Sequence, residues 1–131
     1  MKTDWPDLFQ QVLQALPLTL LMIVIALICA IILGLVLAVI RIQRTPILSP
    51  IVRVYQSFIR STPLLLQLFL VYFALPQVLM LIHIDINHFS RLFFVILAFT
   101  LHTGAYLSEV MRAGYLSVDY AQIEAGLTVG L

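Results

Sequence analysis

The chain is short of charge. Asp, Glu, Lys and Arg make up only 10% of its 131 residues, against 63% hydrophobic residues and a mean hydropathy of +1.11. A soluble domain of this size needs a charged surface that this composition does not supply, so lipid is the expected solvent. The net charge is +1 and the basic residues are dispersed, which argues against nucleic acid as a partner because phosphate binding needs a concentrated basic face. Cysteine is nearly absent: the single Cys29 lies in an apolar run, cannot form an intrachain disulfide and reads as a small packing residue. The sequence also lacks a Ser, His and Asp set and a Gly-rich phosphate loop with Lys, so covalent chemistry and nucleotide hydrolysis are not expected of it, nor a cofactor; catalytic work belongs to a partner.

What is present is long apolar runs. Leu18 to Ile40 contains no charged residue over 23 positions, and as a helix it spans roughly 34 Å, enough to cross a bilayer core. The spacing predicts a first membrane helix over about 18–40, a second over about 62–81 and a third over about 92–111. Asp4 and Asp7 offset Lys2 ahead of the first run, and that run is too long for a cleaved leader, so it is expected to stay as an anchor. Thr62 followed by Pro63 predicts a capped helix start, and Pro76 a kink or stop near the far end of the second helix.

The segment from Arg41 to Ser61 holds Arg41, Arg44, Arg53 and Arg60 with no acidic residue. The positive-inside rule then places this loop in the cytoplasm, the N-terminus and the segment His83 to Ser90 outside, and everything after Arg112 inside. Within the loop, Ile51 to Phe58 has the pattern of an amphipathic helix lying along the interface.

His102, Tyr106 and Glu109 follow at i, i+4 and i+7 and share one face of the third helix. Two readings are open. Ionisable groups at membrane depth usually face a bundle interior or a water-filled path, which makes this face a translocation surface or a contact to another subunit. Alternatively Glu109 sits at the interface and pairs with Arg112 one turn on, while His102 bonds a neighbouring helix. Gln67 reads mainly as interhelical glue. In the outer segment, His83, Asp85, Asn87 and His88 are potential metal ligands but lack the helical pair and third ligand of a zinc site, so a solvated turn and no metal are expected. After Arg112 the chain keeps a mixed pattern through Asp119, Gln122, Glu124, Ala125, Gly126 and Gly130; Asp119 is placed to cap a short helix over about 119–128, a weak signal of a docking element.

These residues resemble a known family, the transmembrane permease subunits of ABC importers for polar amino acids. Leu16, Pro17, Leu18, Thr19 and Leu20 lead into the long helix ending Gly34 to Arg41; Phe58 to Phe69 resembles the family's RGTPLLVQLF, with Ser61 in place of the glycine; and Ala105 to Glu109, Arg112 and Gln122 to Gly130 resemble the EAA loop, with Gly126 in place of its second alanine. The resemblance implies an all-α integral membrane fold, a single but partial permease domain over residues 1–131 with three transmembrane helices and a short cytoplasmic coupling helix. Family members continue through an I-x-LP segment and two more helices, so a permease truncated just after the motif glycine is implied. Implied too are ATPase coupling through Gln122, Glu124, Ala125, Gly126 and Gly130, and a substrate path at His102, Tyr106, Glu109 and Gln67. The partners implied are ABC ATPase subunits, a second permease subunit, like or unlike, an extracytoplasmic amino-acid-binding protein and a polar amino acid, cystine being the nearest guess. The rival expectations are a small structural or assembly membrane protein and a channel-forming oligomer using the His102 and Glu109 face.

Overall fold

The computed structural model describes residues 4–131, and all regular structure in them is helical. Helix α1 runs Trp5–Ile42, α2 Leu48–Ser61, α3 Leu64–Phe69, a π-helical turn Leu70–Ala74, α4 Leu75–Leu81, α5 Arg91–Ser117 and α6 Tyr120–Thr128. Three of these are long and apolar enough to cross a membrane: α1, the continuous span Leu64–Leu81 formed by α3, the π turn and α4, and α5.

The bounds differ from the expected ones for identifiable reasons. Helix α1 begins at Trp5, not Leu18, and at 38 residues it extends about 57 Å. Asp7 and three glutamines keep its first turns out of a charge-free apolar window, yet Pro6 in the first turn and the acidic Asp7 both suit a helix start. Pro17 is carried inside it, and Thr19 Oγ1 donates to the Ala15 carbonyl at 3.1 Å just beyond. Helix α5 continues to Ser117, past the expected end near 111, because no proline interrupts it and Glu109 pairs with Arg112 along the same face. Thr62 does not cap the following helix: its hydroxyl donates back to the Phe58 carbonyl at 2.7 Å, and no side chain caps α3.

The core is a seam of small residues. On α1, Ala26, Ala30, Gly34 and Ala38 recur every fourth position and are buried against α5, where Ala98, Gly104, Ala105 and Ser108 are buried in turn. In lipid, helices gain little from apolar burial, so close backbone approach across small side chains is what joins them. The approach is tightest at Gly34, where an added Cβ would lie 3.1 Å from Leu107 Cβ and 3.3 Å from both the Gly104 carbonyl and the Ser108 amide nitrogen. The large side chains of α1 point outward, Leu20, Ile23, Ile28, Ile32 and Leu35 among them, as lipid or neighbouring protein would require.

Helix α2 is not a purely interfacial helix. Ser49, Val52, Gln56 and Ile59 are buried against the bundle, leaving Ile51, Val54 and Phe58 exposed on another face. Pro76 falls just after the π turn; it has no amide to give the Tyr72 carbonyl, and the widened turn accommodates that missing bond. Helices α1, α4 and α6 each end in a pair of backbone bonds around a left-handed residue: Arg44 (φ 51), His83 (φ 63) and Gly130 (φ 82). At the last, the Leu131 amide donates to the Gly126 carbonyl at 2.9 Å and the Gly130 amide to the Leu127 carbonyl at 3.3 Å, the Schellman pattern in which glycine avoids the Cβ penalty.

Candidate functional site

At the Arg41 end of the seam, polar side chains from three helices converge. Arg41, last turn of α1, donates from Nη1 to Gln56 Oε1 of α2 at 2.6 Å and also pairs with Glu109 Oε1 of α5. Gln56 Nε2 donates to Ser108 Oγ at 2.6 Å, and Ser108 donates on to the Ala105 carbonyl at 2.6 Å. The second oxygen of Glu109 accepts from Arg112 Nη2 at 3.1 Å and Nε at 3.3 Å. Both carboxylate oxygens are therefore engaged, and Gln56 and Ser108 are buried at 2% and 0% exposure with their hydrogen-bonding groups partnered. Such a satisfied network fixes the register of the three helices, because losing one member leaves a buried group unpaired.

About two turns back along α5 from Glu109, His102 Nδ1 lies 2.9 Å from Gln67 Oε1. The Gln67 amide nitrogen already donates to the Ile59 carbonyl at 2.8 Å and to the Thr62 carbonyl and hydroxyl at 3.0 Å, so its oxygen is an acceptor and His102 Nδ1 is the donor. Gln67 thus ties the break between α2 and α3 to α5. Tyr106 lies beside His102 with ring centroids 5.0 Å apart and planes tilted by 52°, and is 41% exposed. Tyr55 donates its hydroxyl to the Leu101 carbonyl, and burial pushes its pKa up to about 12, so it stays a neutral donor.

An open cleft of about 500 Å³ lies between α2 and α5 beside this network. Arg53, Ser57 and Arg60 form its α2 wall, and Tyr106, Glu109 and Arg112 its α5 wall. Of the four residues expected on the substrate path, Tyr106 and Glu109 reach this cleft, whereas His102 and Gln67 are bonded to each other one turn away. Arg41, Gln56, Ser108 and Tyr55 escaped the sequence reading as site residues. Gln56 carried a usable signal, since it shares the i, i+3, i+7 row of Ser49, Val52 and Ile59.

Helix α6 stands apart. Asp119 Oδ1 accepts from the Ala121 amide at 3.2 Å at its start, and none of its residues is buried. Gln122, Glu124 and Ala125 are exposed, Gly126 is half-buried and Gly130 forms the left-handed stop. In the segment between α4 and α5, the Asp85 carboxylate accepts from the Asn87 amide at 2.9 Å and side chain at 3.0 Å, bonds that hold its pKa below the usual carboxylate value. Among the described residues no three His, Cys, Asp or Glu side chains converge as a metal site would need.

Comparison with known proteins agrees with this architecture. The model of the binding-protein-dependent transport system inner membrane component family matches residues 30–131. The chain is 41% identical over 131 residues to the probable amino-acid permease protein YxeN of Bacillus subtilis (strain 168), covering 98% of this chain and 57% of that protein. It is 38% identical over 116 residues to the L-cystine transport system permease protein TcyL of the same organism, covering 88% of this chain and 48% of that one. The chain therefore spans about half the length of the curated relatives it matches. A crystal structure of an amino acid ABC transporter with histidines superposes with a TM-score of 0.74 at 26% identity, over 100% of this chain and 59% of that chain. A membrane-spanning helical seam, an exposed capped helix at its end and a family match over most of the sequence lead to one conclusion: this chain belongs to the binding-protein-dependent transport system inner membrane component family, as an amino-acid ABC permease homologue.

Proposed function

We propose that this chain contributes three membrane helices and the coupling helix of an importer that brings a polar amino acid into the cytoplasm by alternating access, driven by ATP hydrolysis in a separate subunit. The observation that carries the reading is α6: a helix capped at both ends, with no buried residue and with Gln122, Glu124 and Ala125 turned outward, is built to be covered by something else. An ABC ATPase subunit is the proposed cover, with Glu124 and Gly130 at the joint. A second permease subunit is proposed against the exposed apolar faces, and an extracytoplasmic amino-acid-binding protein delivers substrate. The relative named for L-cystine supports cystine as a candidate among polar amino acids.

In this reading the Arg41 end lies in the cytoplasm and the His83 to Ser90 segment outside, as the arginines between α1 and α2 favour. The Arg41–Gln56–Ser108–Glu109 network then closes the inner end of the path, with Tyr106 and Glu109 facing it and His102 and Gln67 setting the shape of the helix break above. ATP-driven closure acts on two arrangements of the bundle, each ligand favouring the one it fits better. The test is co-purification of this chain with its ATPase from membranes: Glu124→Ala should weaken association at least fivefold, whereas association unchanged by E124A and G130P returns the chain to a structural or assembly role.

A further inference from the structure

The cleft between α2 and α5 carries more charge than its network uses. Four arginines, Arg41, Arg53, Arg60 and Arg112, face it with Glu109 as the sole carboxylate in its lining, and Arg41 and Arg112 already hold both oxygens of Glu109. Arg53 and Arg60 make no ion pair among the described residues. They lie two turns apart on one stripe of α2 with Ser57 between them, and the exposed Tyr106 closes the opposite side. Two guanidinium groups, which donate and never accept, with hydroxyls between and across from them that can also donate, suit an oxyanion, and guanidinium matches a carboxylate bidentately.

We propose that this cleft is an oxyanion subsite in which Arg53 and Arg60 hold a carboxylate of the transported amino acid; the assignment rests on the transport reading above. The ligand chemistry would also suit a phospholipid phosphate, and the geometry of α2 decides against it. The exposed apolar residues Ile51 and Phe58 each stand two positions from an arginine, which is roughly 160° around the helix. A lipid lying along that apolar face would have its headgroup on the wrong side of α2. The surplus positive charge also sets a substrate class: zwitterionic and acidic amino acids are accepted, and those with a cationic side chain are repelled.

The test measures binding of radiolabelled glutamine, glutamate, arginine and glutamine methyl ester to the full chain, with its co-purifying ATPase, in phosphatidylcholine nanodiscs. Glutamine and glutamate are expected to bind, with arginine and the methyl ester at least tenfold weaker; R53Q and R60Q should each weaken glutamine at least fivefold. The ester comparison uses the unaltered chain and so does not depend on a variant folding. Equal binding of ester and glutamine, unchanged affinity in R53Q and R60Q, or no saturable binding at all overturns the proposal. Displacement of glutamine by added phosphatidylglycerol, with that lipid retained through Arg53 and Arg60, overturns it in favour of lipid. Loss of amino-acid binding with ATPase association intact rejects the subsite alone, whereas carboxylate binding without any ATPase association rejects the transport reading instead.

Discussion

Replacing Gly34 with alanine places a methyl group 3.1 Å from Leu107 Cβ and 3.3 Å from two backbone atoms of α5, whereas carbon atoms settle at about 3.5–4.0 Å. Backbone cannot rotate away, so α1 must step back by several tenths of an ångström. Such a gap forfeits part of the dispersion along the seam through Ala30, Ala38, Ala98 and Ala105, and overpacking of this kind costs about 1–3 kcal/mol. Better helix propensity returns up to about 1 kcal/mol, leaving a net loss of up to about 2 kcal/mol. Gly104 is the internal control. A Cβ there would meet Leu33 Cδ2 at 2.8 Å, Cγ at 3.1 Å and Cβ at 3.4 Å, all on one half-exposed side chain that can rotate aside where the backbone facing Gly34 cannot, so G104A is expected to cost less than G34A. Unfolding of both variants and the parent in mixed micelles titrated with SDS gives the comparison. If G34A is as stable as the parent, or if G104A is the more damaging of the two, the account of the seam is wrong.

Four further outcomes follow from the geometry. Q56L removes one bond to Arg41 and one to Ser108 while leaving Arg41 paired with Glu109 and Ser108 with the Ala105 carbonyl, and should cost about 0.5–1.5 kcal/mol per bond lost in the same unfolding titration. Y55F loses the bond to the Leu101 carbonyl and should cost about 0.5–1.5 kcal/mol, read in the same titration. At α6, G130A forces a side chain into a left-handed backbone at a cost of about 1–2 kcal/mol, while G126A, whose Cβ would meet nothing closer than Leu131 Cβ at 3.9 Å, should stabilise the helix by about 1 kcal/mol; affinity for the proposed ATPase partner should fall in the first and hold or rise in the second. In a Cys29→Ala background, cysteines at the exposed Gln43 and Asn87 should be labelled from the cytoplasmic and outer sides of intact cells respectively, and the reverse pattern would invert the proposed orientation.

Much of this architecture was legible because lipid imposes a simple rule. Leu18 to Ile40 had to span, and the runs around Thr62 to Leu81 and Leu92 to Val110 were long enough to do so. The Asp119 cap was legible for a different reason: it is a local backbone requirement met by a particular residue type, whereas Gly130, read as a coupling glycine, showed its part in stopping α6 only in the backbone. The earlier start of α1 was hidden because Asp7, Gln10, Gln11 and Gln14 interrupt apolarity without interrupting a helix. The polar network was hidden for a deeper reason. Arg41, Gln56 and Ser108 are far apart in sequence, and each taken alone reads as a topology marker, an interfacial glutamine and a small packing residue. Only the docking of α2 on the α1–α5 seam brings them within hydrogen-bond reach. Glu109 and Arg112 show the complementary case, since a pair one turn apart was visible at once while the partnership with Arg41 was not.

The π-helical turn at Leu70–Ala74 changes what the second span can do. On a regular α-helix, Gln67 and Tyr72 would point about 140° apart, yet Gln67 bonds His102 and Tyr72 meets Phe94 edge-on at 5.6 Å, both on α5. The extra residue held in that turn supplies the missing rotation. Its position is a phase boundary: the half of the span before it keeps one angular setting and the half after it another. Moving the bulge by one residue along the helix would leave the two halves in the same relative setting and re-aim only the residue it passes, by about 100°, so a ring near Tyr72 could change its facing while Gln67 stays engaged.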